Sequence, residues 1–392
     1  MSERRPDERG FTRLPMLAES KVALETCTYC PKLCRTVCPV SNAEPREALT
    51  PWGKMSSAYH LARGDLATVE GTPTTDLETE RGFAKVAYAC TGCGACKNAC
   101  DHRNPVYDTL FRARSAATRA GLAPESAKRV LAAFDQKASE AELAARRIDP
   151  GAERRPVALV VGCGYMRHAE PEAREALAVA RKLTGRDVRL VGGCCGLPLL
   201  HAGDGERFDS HLTAFVKELS WFDEVLVLDA GCARVLRDEA PRRGAGDPRA
   251  ELVVERAAKE LAGLAPLGED ERGERVTYHD PCALSRGLGV TEAPRAVLTR
   301  LLGRAPEELV RNREDSVCSG AGGLLPVTHP EIAEEVARAR VSEHAAASGG
   351  TWVTACSSSL RAFRRSAPQA KVEDVVTWIA RGLGVSEAKD RG

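Results

Sequence analysis

The chain has 392 residues and a formal net charge of +1; it is long enough for two or three domains with sizeable cores and carries no global field for nucleic acid or an anionic membrane. The polar stretch Ser2 to Arg13 lacks the apolar segment of a signal peptide, and no apolar run approaches a membrane span, so the expected place is the cytoplasm, at the inner face of a membrane only through a partner. Fifteen cysteines and 5% aromatic residues point to metal rather than disulfides, with a core built from Ala, Leu and Val.

In chain order, residues 1 to about 20 read as a loosely docked tail. A first cysteine run follows: Cys27, Cys30, Cys34 and Cys38-Pro39. Met55 to Arg63 reads as a helix stopped by Gly64, and Gly71-Thr-Pro-Thr-Thr as a loop. Phe83 to Ala89 leads into the second run, Cys90, Cys93, Cys96 and Cys100, which Asn104-Pro105 closes. Each run offers three closely spaced thiolates and a fourth further on. That is the layout of ferredoxin-type cubane ligation, in which the fourth thiolate serves the other cluster. The expected sets are Cys27, Cys30, Cys34 with Cys100, and Cys90, Cys93, Cys96 with Cys38. Two departures stand out: three residues separate Cys30 from Cys34, and Asp101 rather than Pro follows Cys100. Two closed zinc sites are the alternative, but a third Cys so close to each pair is cramped for zinc. A thioredoxin-like pair would have no extra cysteines.

Thr109 to Ala120 and Ser126 to Arg147 carry apolar residues at helical spacing, punctuated by Gly121 and Asp149-Pro150-Gly151. Residues 21–150 are therefore expected to form one small helical domain whose folding depends on bound metal. At Pro156 the texture changes. Val157–Val161, Val188–Val191 and Val225–Leu228 read as buried strands, alternating with helices at Glu172–Leu183 and Glu206–Leu219. This implies a parallel α/β sheet with right-handed crossovers over residues 156–240. A linker, 241–274, contains an amphipathic helix near Leu252 to Leu261.

The pattern recurs over 275–392. Val276–Tyr278 is a strand, and Thr291 is expected to cap a helix stopped by Gly303. Val317 is expected at a strand end, Pro330 to His344 as a helix, and Trp352–Thr354 as a strand. Val372, Val375, Val376, Ile379 and Leu383 read as one closing helical stripe. Cysteines recur with the strands, each expected at a strand's C-terminal end, where open α/β sheets bind ligands. They are Cys163, Cys194-Cys195 and Cys232, then Cys282, Cys318 and Cys356. Cys195 to Cys232 and Ser319 to Cys356 both span 37 positions, so Ser319 stands where Cys195 stands. An inert buried thiol explains one such Cys, not seven in matched places.

The two runs, Gly193-Cys194-Cys195-Gly196, Tyr278-His279-Asp280-Pro281-Cys282 with Arg286, Pro294 and Arg295, and Cys318-Ser319-Gly320-Ala321-Gly322-Gly323 resemble a family of iron–sulfur proteins. These join a two-cluster ferredoxin-like domain to a tandem cysteine-rich CCG domain, as in heterodisulfide reductase subunits, the iron–sulfur subunit of glycolate oxidase and the membrane-anchoring subunit of anaerobic glycerol-3-phosphate dehydrogenase. The resemblance covers nearly the whole chain. It implies an α plus α/β architecture: a helical di-cluster domain, then two pseudo-symmetric parallel-sheet units. The family motif has one Cys, a CC pair, then CxxC. Here Val235 and Ser359 replace the last Cys of each repeat, and Ser319 replaces one of the second pair.

Two [4Fe-4S] clusters are thus expected on Cys27, Cys30, Cys34, Cys38, Cys90, Cys93, Cys96 and Cys100. Cys163, Cys194, Cys195 and Cys232 are a candidate third Fe–S or zinc site. Cys282, Cys318 and Cys356 need a non-Cys ligand such as His279 or a serine. Gly320, Gly322 and Gly323 lack the Lys of a phosphate loop and read as tight backbone approach to a metal or to the other repeat unit. The implied function is an electron-transfer subunit serving an FAD-containing oxidase or dehydrogenase and a quinone or other membrane-bound acceptor. The flavin belongs to the partner, because no GxGxxG follows a strand. A thiol–disulfide reductase and a zinc-stabilised scaffold are the alternatives; nucleic acid is not expected as a partner.

Overall fold

The computed structural model describes residues 10–30, 33–64, 68–69, 72–73, 76–151, 156–347 and 349–386. The chain forms two compact units, each assembled from separate segments. The first comprises Met1–Ala132, Pro198–Gly205 and Gly322–Ala333, the second Ala133–Leu197, Glu206–Ala321 and Glu334–Gly392.

The first unit is helical: α1 (Lys21–Thr28), α2 (Pro39–Ala43), α3 (Pro51–Arg63), α4 (Leu77–Ala87), α5 (Ala95–Asn98), α6 (Val106–Arg119) and the start of α7 (Glu125–Ile148). Local chemistry sets the ends. Thr50 accepts a hydrogen bond from the Gly53 amide at 3.0 Å, Pro51 opens α3, and Gly64 closes it in the left-handed region. Asp76 caps α4 through the Thr79 amide at 2.7 Å, a contact stabilising by about 1 kcal/mol. The buried faces of α3, α4 and α6 meet through small residues such as Ala58, Ala62, Ala84, Ala113 and Ala117, which lets the helices approach closely despite few aromatics.

Part of the expected tail is structured. Residues 1–9 lie outside the described residues, but Pro15–Ser20 form a 3-10 helix. Phe11, Leu14 and Leu17 are buried in the helical core, so their apolar area outweighs the surrounding polarity. In the expected loop, Thr72–Pro73 pairs antiparallel with Thr68–Val69; Gly71, Thr74 and Thr75 lie outside the described residues.

The second unit holds two four-stranded sheets, parallel throughout. The first contains β1 (Val157–Val160), β2 (Val188–Val191), β3 (Glu224–Val227) and β4 (Glu251–Leu252) in the order β2-β1-β3-β4. The second contains β5 (Val276–His279), β6 (Glu307–Glu308), β7 (Thr351–Thr354) and β8 (Val372–Asp374) in the order β6-β5-β7-β8. Each sheet thus repeats a four-strand parallel ribbon with its first strand inside, and the internal repeat is a structural fact. Central strands are buried along their length, as parallel sheets covered on both faces require.

Several local expectations are corrected. Val372 lies in β8, and the closing helix is Val375–Gly382, started by Asp374 accepting from the Val376 amide at 2.9 Å. The linker helix is Val253–Lys259, with Leu252 in β4. Thr291 precedes the helix Glu292–Leu302 without a side-chain cap, its own backbone already helical. No strand ends at Val317: the carbonyls of Glu314 and Ser316 accept from the Arg286 guanidinium at 2.8 and 2.6 Å. Cys318 therefore sits in a loop, not at a strand end, and the short edge strand is β6.

Candidate metal centres

The first unit brings its cysteines into one neighbourhood, in which Cys34 also feels Cys38, and Cys96 feels Cys34, across the two expected sets. Cys27 lies in the last turn of α1, Cys34 in the 3-10 helix Leu33–Val37, and Cys100 follows α5. Burial pushes the Cys27 thiol up to about 12, against the hydrogen bond from Asn104, and Cys34, Cys100 and Cys30 raise it further. Cys34 rises to about 11, first through burial, then through Cys30. These four thiols are therefore electrostatic neighbours. Neutral Asn104 donates to the Cys27 sulfur at 2.9 Å and to the Ala23 carbonyl at 2.8 Å.

The other four, Cys38, Cys90, Cys93 and Cys96, line one narrow pocket whose remaining wall includes Val40, Pro51, Lys54, Val106, Tyr107 and Leu110. Gly92 and Gly94, both with positive φ, turn the chain between Cys90 and Cys96. A Cβ on Gly92 would lie 2.6 Å from Tyr107, so this turn requires glycine. The Cys90 thiol is raised by burial while Lys54 and Arg114 pull it down; Cys96 is raised well up by burial and by Cys93 and Cys90.

A [4Fe-4S] group fits this donor set. Four cysteines line one largely apolar pocket. Crowded, buried thiols resist ionisation together, so their deprotonation calls for the cationic charge that iron supplies.

Lys54, Asn104 and Arg114 are functional neighbours that sequence reasoning missed. Arg114 is fully buried and donates to the carbonyls of Ala87, Cys90, His201 and Gly323 at 3.1, 2.7, 2.8 and 2.8 Å. It staples the second cysteine loop to two distant segments of the same unit. Gly323 belongs to the glycine-rich stretch: a Cβ there would lie 2.1 Å from the Cys90 carbonyl, so the close approach is to the backbone of the second cysteine loop rather than to the other repeat.

In the second unit, Cys163 and Cys194 lie sulfur to sulfur at 3.5 Å. Cys194 also contacts Cys195, and Cys195 contacts Cys232, so the four thiols of the first repeat form one chain. Cys163 is raised by its bond to Cys194 and then by burial; Cys232 rises to about 12, against the bond from Cys195, through burial. His211 Nε2 lies 2.6 Å from the Cys194 carbonyl. Asp229 Oδ1 accepts from the Gly231 and Cys232 amides at 2.8 and 3.1 Å, and Oδ2 from the Ser357 hydroxyl at 2.7 Å. This carboxylate joins the Cys232 turn to the Cys356 turn.

The second repeat is different. Ser319 and Ser359, at cysteine positions of the motif, hydrogen-bond each other at 2.9 Å. Cys356 rises to about 12 through burial. His279 is 1% exposed, edge-on to Trp352 and Phe363, and burial holds its pKa well down. Among the described residues its nitrogens have no hydrogen-bond partner, and the aromatic packing makes it part of the core.

Comparison with known proteins follows the same division. A 4Fe-4S dicluster domain matches residues 23–104, and a cysteine-rich (CCG) domain matches residues 157–237 and again 276–363. One subunit of the dihydromethanophenazine:CoB–CoM heterodisulfide reductase of Methanosarcina acetivorans is 25% identical, over 95% of this chain and 97% of its own length. One subunit of the fumarate reductase (CoM/CoB) of Methanothermobacter marburgensis is 29% identical over 67% of this chain and 54% of its own length. Lactate utilization protein A of Oceanobacillus iheyensis is 30% identical over 38% of this chain and 64% of its own length. Among the described residues no helix is long and apolar enough to cross a membrane. The chain is thus an iron–sulfur protein that joins a 4Fe-4S dicluster domain to a tandem cysteine-rich CCG domain.

Proposed function

We propose that this chain is the iron–sulfur component of a flavin-dependent oxidoreductase complex. It accepts electrons singly from an FAD-containing oxidase or dehydrogenase partner acting on a 2-hydroxy acid or related substrate, and hands them to a quinone or another membrane-bound carrier. The single observation that carries this reading is the cavity ringed by Cys38, Cys90, Cys93 and Cys96, beside which Cys27, Cys30, Cys34 and Cys100 form the second set. Likeness to the lactate utilization protein supports the choice of substrate class.

A [4Fe-4S] cluster supplies one-electron redox chemistry. The protein's own residues hold it, exclude water and place charge and hydrogen bonds around the sulfurs. Cys163, Cys194, Cys195 and Cys232 would hold a third Fe–S centre or zinc, and the serine pair leaves the second repeat without a matching thiol set.

Anaerobic purification with the native assembly machinery, iron and sulfide quantitation and EPR test the proposal. Two reducible cubane signals are expected, reduced by a 2-hydroxy acid only when the flavin partner is added. Zinc without sulfide would sink it. Disulfide reduction is the second reading, favoured by the likeness to the heterodisulfide reductase component and opposed by Val235, Ser319 and Ser359. It predicts that a disulfide substrate perturbs an EPR signal from the CCG half.

A further inference from the structure

The two cysteine sets sit in unlike electrostatic surroundings. Lys54, on α3, is 2% exposed and donates from Nζ to the Cys38 sulfur at 3.5 Å. Among the described residues it has no carboxylate partner. Arg114 is equally sequestered; its donors go to backbone carbonyls, and its guanidinium lies over Phe111 and Tyr88 at 4.3 and 5.0 Å from the ring centroids. It too has no carboxylate partner among the described residues, and its carbonyl contact at Cys90 places it against the same cysteine loop. His329 falls to about 4, first through burial and then through Lys85, Lys54, Arg114 and Arg46, so it is neutral at pH 7. Around Cys27, by contrast, the donor is the neutral Asn104 amide.

Buried charges without counter-ions are costly and persist where something compensates them. Here the compensating charge is the thiolate set itself. Reduction adds a negative charge, and a fixed cation in a low-dielectric pocket favours the more negative state.

We infer that Lys54 and Arg114 set an asymmetry between the two centres, holding the reduction potential of the Cys38, Cys90, Cys93 and Cys96 site above that of the Cys27, Cys30, Cys34 and Cys100 site. This rests on both sites holding clusters, as proposed above. Lys54 is a positioning residue of charge, not a ligand. The asymmetry gives the domain a direction: the electron rests on the Lys54 site.

The test is an EPR-monitored redox titration of the anaerobically purified full chain, alongside K54M, K54Q and K54R, with iron and sulfide measured on each. In K54M and K54Q one of two midpoints should fall by at least a tenfold change in its equilibrium constant, about 59 mV for a one-electron couple, while the other stays. K54R, which keeps the charge, should restore the higher value. Unchanged midpoints, or equal shifts at both centres, overturn the inference. So does loss of one cluster from both K54M and K54Q, which would make Lys54 a structural residue. Absence of iron and sulfide from the unmodified protein is a separate outcome and refutes the two-cluster reading itself.

Discussion

Arg295 is the clearest point at which to test the energetics of the second repeat. Its guanidinium is 5% exposed and grips Asp280 with two bonds of 2.8 Å, Glu308 with bonds of 2.6 and 2.8 Å, and the Thr291 carbonyl at 2.6 Å. Asp280 also accepts from the Arg313 amide at 2.8 Å, so one buried carboxylate ties β5, the edge strand β6 and the loop after it. It lies two residues before Cys282. Arg295→Met keeps most of the packing volume and strands Asp280, itself 2% exposed. Leaving one member of a buried pair uncompensated costs about 3–5 kcal/mol. With a urea slope of about 3 kcal/mol per M, the midpoint should fall by roughly 1–2 M. Trp352 and Trp378 are fully buried in this unit, so tryptophan fluorescence follows its unfolding. Adding Asp280→Asn should recover part of the loss, because no unpaired charge remains. A loss below about 1 kcal/mol for Arg295→Met, or no recovery in the double variant, would refute the reasoning.

Further outcomes follow from the same geometry. Ser319→Ala removes one of two buried partners of Ser359, whose side chain also meets the Cys356 thiol, and should cost about 1 kcal/mol, whereas S319A with S359A also removes the Cys356 contact and should cost more; urea midpoints of the single and double variants decide. Gly323→Ala meets the Cys90 carbonyl and should lower iron and sulfide content at the Cys38, Cys90, Cys93 and Cys96 site while leaving the tryptophan-reported unfolding of the second unit in place. Burial raises Asp374 from 3.8 to about 7, against the 2.6 Å hydrogen bond from Tyr165. The folded state then retains a proton that the unfolded chain has lost between about pH 4 and 7, so stability falls as pH rises through that window and stays reduced above it. Asp374→Asn should remove a fall of a few kcal/mol, at about 1.4 kcal/mol per pH unit; an unchanged pH slope in the urea midpoints would show that Asp374 is not its source.

The order of elements was legible in one dimension, because periodicity and stop residues are short-range signals. Cysteine spacing encodes how a loop can wrap a cluster. Strands such as Val188–Val191 and helices such as Pro51–Arg63 carry their own periodicity and stops. The 37-position register between Cys195–Cys232 and Ser319–Cys356 foreshadowed the repeated sheet. Two- and three-residue strands were not legible. Glu307–Glu308 has no apolar pattern and is a strand only because β5 offers it partners, and Val372 reads as helical because its apolar neighbours continue the stripe.

What tertiary structure alone decided is charge and contact at long range. Nothing near Lys54 in the sequence says that its ammonium faces the Cys38 sulfur, nor that Arg114 reaches carbonyls as far off as Gly323. The serine pair is likewise a meeting of residues forty positions apart. Local pattern determines which atoms are available to a metal; the field those atoms feel depends on which buried cation the fold carries to them, and electrostatic energy depends on distance in space, not along the chain.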